Sequence, residues 1–163
     1  MNRKEKEVKN IEDIINIIKK CEVCRIALFD DEYPYIIPLN FGYFYDKDSQ
    51  KLELYFHGAN TGKKLDIIKN NNKAGFEMDV YLDVTKKDSP CSYTMEFESI
   101  CGNGEIKILS EKEKLKGLRY IMKQYTEKSF NDDDFKLKTV NSTTVFRLEV
   151  KEISGKSSFI NKN

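Results

Sequence analysis

Between residues 76 and 84 the chain alternates without a break. Phe76, Met78, Val80, Leu82 and Val84 point one way, and Glu77, Asp79, Tyr81 and Asp83 the other. A period of two puts one set of side chains on each face of a strand and cannot be satisfied by a helix. One apolar face and one polar face describe an antiparallel sheet with one side buried and one side wet. The other β-rich stretches fit beside it. "CRIALF" (24–29) predicts a strand, as does "YIIPLNFGYFY" (35–45), and "KLELYFHG" (51–58) completes a three-strand meander. Pro38 removes a ladder donor from the second of these, which predicts an edge or a bulge there. A long strand pair is expected through "YTMEFESICGNGEIKIL" (93–109), with Gly102 and Gly104 permitting a bend or bulge. The last strand, 143–156, sets Val145, Arg147 and Glu149 against Phe146, Leu148 and Val150.

Helical spacing interrupts the strands three times. Val8, Ile11, Ile15 and Ile18, widened by Ile14 and Ile17, predict a helix over 8–20. A short helix is expected at 61–70, capped by Asn60 or Thr61. "SEKE" (110–113) is a capping box opening a helix with a Leu115, Leu118, Met122, Tyr125 stripe. Six or seven strands against three helices give an α+β chain, mainly antiparallel β. The strand spacing fits a closed or partly closed barrel with helices outside. A chain of 163 residues predicts a single domain, 1–163, with its core at about 8–156 and a fraying tail at 157–163.

Composition narrows the function classes. Lys+Arg number 28 and Asp+Glu 27, so the chain lacks the positive field of a general nucleic-acid binder. No apolar run approaches the roughly 20 residues of a membrane span. The N-terminal "MNRKEKEVKN" leads into an amphipathic stretch rather than a signal-peptide core, so a cytoplasmic location is expected. Cys21 and Cys24 form a CxxC, but a helix feeds a strand there, the reverse of the thioredoxin arrangement. Cys24 shares a strand face with Ile26 and Leu28 and reads as core. The ten-residue spacing of Cys91 and Cys101 is wrong for a zinc ribbon, so four reduced thiols and no metal are expected. "NDDD" (131–134) lacks the glycine and distal glutamate of a calcium loop and reads as a solvated turn.

The stretch "LYFHGANTGKKLDIIKNNNKAGFEMDV" (54–80) carries the chemistry. His57, the one histidine of the chain, closes a strand. Gly58 and Gly62 allow close backbone approach, and Lys63 and Lys64 sit where a helix starts. A helix N-terminus presents unpaired N–H groups and a partial positive charge, which attract anions. Two cations there oppose the dipole, and a phosphate would relieve them. The Walker spacing and the Rossmann βαβ frame are both absent. Taken by themselves, the residues read first as a surface turn with two solvated lysines and a half-buried structural histidine, and second as a phosphate site. Phe41, Tyr43 and Phe56 are equally core or the walls of a flat slot.

The ordered set "PYIIPLNFGY", "LYFHGANTGKKLDIIKNN", "FESICGNGEIKI" with "SEKEKLKGL", and "VFRLEVKEISGK" resembles the FMN-binding split-barrel superfamily that includes pyridoxamine 5′-phosphate oxidases. Within it the chain is similar to the nitroimidazole-resistance (Nim-type) branch. The resemblance implies a Greek-key split barrel and a homodimer that buries FMN at its interface. It implies that the backbone of Ile37, Pro38, Leu39 and Asn40 runs along the flavin ring. His57 and Gly58 would meet the ring or ribityl chain. Lys63 and Lys64 would hold the FMN phosphate, and Ser99 would reach the cofactor from the neighbouring subunit. Pyridoxamine phosphate oxidases carry an Arg-Lys pair and a C-terminal Arg/His segment for the substrate's phosphate. This chain has Lys-Lys, ends "ISGKSSFINKN" and has no second histidine, so that activity is not expected.

The function implied is a flavoprotein oxidoreductase. It would take electrons from a reduced nicotinamide or another donor and pass them to a small acceptor such as a nitro-aromatic. His57 would donate a proton or hydrogen bond at the ring, or position it. The alternative is a flavin-binding module without turnover, a redox sensor or flavin store.

Overall fold

A computed structural model describes residues 4–86 and 88–158 of the chain. Eight strands form one antiparallel sheet: β1 (Glu7–Val8), β2 (Cys24–Asp30), β3 (Tyr33–Leu39), β4 (Phe41–Asp46), β5 (Lys51–Ala59), β6 (Lys73–Thr85), β7 (Thr94–Ile108) and β8 (Thr143–Ser157). Their order is β3-β2-β6-β7-β8-β5-β4, with β1 added on β8. The two ends of this path, β3 and β4, are consecutive in sequence and separated by Asn40 alone. A sheet whose outermost strands are joined through one residue has to roll up. Among the described residues no ladder joins β3 to β4, so the rolled sheet stays open along that seam. This is the split barrel, in an α+β chain, that the sequence predicts.

Helices α1 (Ile11–Lys20), α2 (Lys63–Asn70), α3 (Glu111–Tyr125) and α4 (Leu137–Asn141) pack around it. The interior is filled by Ile26, Leu28, Phe41, Leu54, Phe56, Met78, Ile100, Phe146 and Leu148, none more than 1 % exposed. Helix α1 adds the buried Ile14, Ile15, Ile17 and Ile18 to the same cluster. Each such side chain contributes on the order of 2 kcal/mol when fully removed from water. A second cluster (Tyr55, Leu109, Ile121 and Val145) lies between the sheet's outer face and α3. The strand β5 is therefore buried on both faces at Leu52–Phe56, and β8 near its start at Thr144–Phe146, which makes Val145 core.

Several local expectations are corrected. The meander does not exist. The stretch 35–45 breaks at Asn40 into β3 and β4, and the hairpins β2–β3 and β4–β5 lie at opposite ends of the sheet. Pro38 does sit on an edge strand, as its missing donor requires. Val8 leaves the first helix and pairs with Gly155 of β8, because Asn10 caps α1 by accepting from the Glu12 N–H at 2.9 Å. Residues 94–108 form one strand, with the expected irregularity between Asn103 and Gly104 against β8. The capping box of Ser110 and Glu113 is present, but α3 turns Lys114, Gly117 and Ile121 inward and leaves the leucine stripe half-exposed. Leu82 is an extra residue with no counterpart on β7, which ends the alternation of β6 and leaves Tyr81 and Leu82 exposed. Ser157 ends β8 and is buried; the tail from residue 159 lies outside the described residues.

Cys24 is fully buried, as its strand face predicts. Cys21 is also buried, and all four thiols are free. Burial raises the Cys21 pKa to about 12 and that of Cys24 further. Asn131 and Asp134 form a capping box of their own, and Asp132 pairs with Arg119, so "NDDD" is a turn with internal partners. No helix among the described residues is long and apolar enough to cross a membrane.

Candidate functional site

The elbow between β5 and α2 is built around Gly62. Its φ of 128° lies where glycine alone is comfortable, and it is the N-cap of α2 with no side chain to offer. Neither Asn60 nor Thr61 caps this helix. The Asn60 amide instead donates to the Asn141 carbonyl (2.8 Å) and accepts from the Thr144 hydroxyl (2.9 Å), pinning the turn to β8. The first N–H groups of α2 are thus left without a side-chain acceptor.

Lys63 and Lys64 leave this elbow in different directions. Lys63 Nζ lies 2.6 Å from Asp30 Oδ2 and 5.5 Å from the Tyr35 ring centroid, tying α2 to the β2–β3 hairpin. The Asp30 carboxylate raises its pKa. Lys64 has no carboxylate partner among the described residues. Its ammonium lies over the buried Phe146 ring, 5.6 Å from the centroid. It also crosses the backbone of Gly58, where a Cβ would stand 2.5 Å from Nζ. Desolvation lowers its pKa, the opposite of Lys63. Of the two cations, Lys64 is the one left uncompensated.

His57, on β5 opposite Val145, is solvent-accessible at the same corner. Partial desolvation, and then the nearby Lys64 charge, lower its pKa, so the ring is neutral at pH 7. A neutral imidazole there has one donor and one acceptor nitrogen.

The other candidate residues divide. The stretch Ile37–Leu39 lies on the edge strand β3 and pairs on one side with Ile26, Arg25 and Cys24, so its other edge is free among the described residues. Pro38 and Asn40 are exposed, while Ile37 and Leu39 pack against the interior. Ser99 is half-buried on β7, opposite Asp79 and Lys156. Measured along β8 it is eleven positions from the level of His57 (Val145 to Lys156), roughly 35 Å of strand at about 3.3 Å per residue. One chain brings His57, Gly58 and Lys64 together but leaves Ser99 remote. Phe41 and Phe56 are wholly buried and belong to the core. Sequence reading missed Asp30, Tyr35, Phe146 and Thr144, whose contacts with the elbow span 28 to 84 positions and leave no local signal.

A model of the pyridoxamine 5′-phosphate oxidase family matches residues 10–157. The chain belongs to that family. No curated protein matches it. Among solved structures, the family member at hand is similar to a candidate 5-nitroimidazole antibiotic resistance protein from Bacteroides thetaiotaomicron. The two are 28 % identical over 92 % of this chain and 85 % of that one, with a TM-score of 0.75. It shares its fold with the FAD and heme binding protein from Mycobacterium smegmatis (18 % identity, 94 % and 73 % covered, TM-score 0.79). It likewise shares it with a candidate pyridoxamine 5′-phosphate oxidase from Listeria innocua (18 %, 88 % and 96 %, TM-score 0.53). The resemblance to the split-barrel superfamily and its nitroimidazole-resistance branch therefore holds.

Proposed function

We propose that this chain is a homodimeric FMN-binding oxidoreductase that reduces small acceptors such as nitro-aromatics. The observation that carries the reading is Lys64: a desolvated ammonium without a carboxylate, beside Gly58, at the uncapped start of α2. An anion placed there gains the charge, the free N–H groups and the helix dipole together. A terminal phosphate monoester suits the corner better than a diphosphate. Asp30, followed in its turn by Asp31 and Glu32, places negative charge next to Lys63, against any second phosphate and the adenylate beyond it. This favours FMN over FAD.

FMN, when bound, supplies the hydride and electron transfer. The chain's own residues bind, orient and shield. Lys64 holds the phosphate end, with Lys63 joining where Asp30 releases it. The free edge of β3 at Ile37–Leu39, with Asn40 beyond it, offers main-chain donors and acceptors to a flat ring. His57, neutral at pH 7, holds a hydrogen bond at the ring; passing a proton to the acceptor would fall to its imidazolium form, which burial and the Lys64 charge make scarcer. Dimerisation is supported by the exposed Phe29, Tyr33 and Ile36 of the β2–β3 hairpin, 60–72 % accessible in one chain. Ser99 completes the site from the partner subunit. Four free thiols suit a reducing cytoplasm.

Titration with FMN, FAD and riboflavin tests the site. FMN should bind at least tenfold more tightly than either of the others, and Lys64→Ala should remove that advantage over riboflavin. Equal affinity for riboflavin and FMN in the native chain would overturn the phosphate assignment. Turnover is read separately, as oxidation of reduced nicotinamide with a nitro-aromatic acceptor. A rate no higher than that of free FMN would leave a binding module in place of an enzyme.

A further inference from the structure

We propose that the groove between α1, β4 and α3 is a second binding site, and that its ligand is a planar aromatic anion. The groove has a volume of about 510 Å³, within the range of small-molecule sites. Its walls are aromatic. Tyr43, Phe44 and Tyr45 come from β4, and Tyr120 comes from α3. The Phe44 and Tyr120 rings stand 5.3 Å apart at 36°, leaving a flat apolar surface. A flat ring laid on such a surface gains offset or edge-to-face contact beyond its burial.

The rim is cationic. Lys19, Lys47 and Lys123 line the opening. Lys47 is paired with Glu12 at 3.2 Å, whereas Lys19 donates to the neutral Asn16 side chain, and Lys123 has no carboxylate partner among the described residues. Behind the wall, Lys116 Nζ lies 5.7 and 5.9 Å from the Phe44 and Tyr120 centroids and adds a further positive charge. In a chain whose charges otherwise nearly cancel, this is a local excess. The strand β4 also ends the sheet and pairs only with β5 among the described residues. Beyond the Phe41 N–H, which the Tyr125 hydroxyl takes up, its outer edge meets no other strand among the described residues and offers main-chain donors and acceptors beside the groove.

The groove is held in shape without a ligand. The Gln124 amide donates to the Ile18 and Cys21 carbonyls at 3.0 and 2.9 Å, which locks α3 to the C-terminal end of α1. The Tyr125 hydroxyl donates to the Glu22 carbonyl (2.7 Å) and accepts from the Phe41 N–H (2.9 Å), which locks α3 to the start of β4. A preformed apolar slot with cations at its mouth selects a flat ring carrying a negative group. The site lies towards the far end of β4 and β5 from His57, and does not depend on the flavin reading.

The test is a titration of the full-length protein with 2-naphthoate and with its neutral counterpart 2-naphthamide, followed by two-dimensional amide NMR. Naphthoate should shift Tyr45, Lys47, Lys123 and Gln124, and should bind at least tenfold more tightly than the amide. The surface double variant Lys19→Glu/Lys123→Glu should lose at least tenfold in naphthoate affinity while keeping its amide dispersion. Saturating the protein with FMN should leave naphthoate binding unchanged. Equal binding of acid and amide, shifts that map to the His57 corner, competition with FMN, or an unaffected double variant would each overturn the proposal. So would failure to bind naphthoate at millimolar concentration.

Discussion

Lys63 and Lys64 differ by one position and have opposite surroundings. One is neutralised by Asp30, the other is drawn over Phe146 and left without a counter-ion. The consequence is measurable at His57. Its pKa lies below the ordinary 6.5, first from desolvation and then from the Lys64 charge. The unfolded chain therefore takes up this proton before the folded one does as pH falls. The stability tied to a neutral ring is present above about 6.5 and is lost as pH falls through the lower folded value. In a histidine NMR titration, Lys64→Gln should raise the His57 pKa part of the way back, with desolvation holding the remainder. Bound FMN should move it in the same direction by neutralising the same ammonium. A His57 pKa that does not respond to Lys64→Gln would show that the ammonium is not near the ring. At this scale sequence separated little. It placed both lysines and the histidine at the elbow, but the partner that distinguishes the lysines is Asp30, over thirty positions away. The same limit hid the role of Asn60, an apparent cap that is drawn off to Asn141 and Thr144.

Elements were legible where one physical rule acted alone. The Ser110–Glu113 capping box fixes the start of α3, and the alternation of residues 76–80 fixes β6. They were misread where two faces compete. The leucines of α3 promised the buried stripe, yet the buried line runs through Lys114, Gly117 and Ile121. The reason is close approach. At Gly117 a Cβ would stand 2.8 Å from the Val145 side chain, and at Gly42 of β4 it would stand 2.2 Å from the Tyr120 main chain. The helix lies so near the sheet that glycine, not leucine, makes the contact. Gly42→Ala must therefore push α3 off β4, because the obstruction is backbone and cannot rotate away. Overpacking of this kind costs about 1–3 kcal/mol. Chemical denaturation should show a loss of at least about 2 kcal/mol, with Phe44 and Tyr120 amide resonances displaced. A Gly42→Ala variant as stable as the parent would mean that the helix sits further from the sheet than this packing requires.

Across the whole molecule, antiparallel β with flanking helices could be read from periodicity, but the strand order could not. A meander is the default for three successive strands, and here it fails because Asn40 turns the chain from one end of the sheet to the other. That turn rolls the sheet and leaves a seam. It also sends the elbow of His57 and Lys64 and the strand carrying Ser99 to places a single chain does not bring together. If Ser99 belongs to the flavin site, it must do so in the partner's half, and this has a stoichiometric signature. Lys64→Ala and Ser99→Asp should each strip the homodimer of tight FMN binding. When the two variants are co-expressed and the mixed dimer is purified on two different tags, one site pairs the native Lys64 of one chain with the native Ser99 of the other. The second site carries both lesions. The mixed dimer should therefore bind one FMN with the parent's affinity, where the parent dimer binds two. Restoration of half the sites requires both subunits in each site. A mixed dimer that binds no FMN tightly would instead confine Lys64 and Ser99 of each site to one chain, and a Ser99→Asp homodimer that binds two would remove Ser99 from the site.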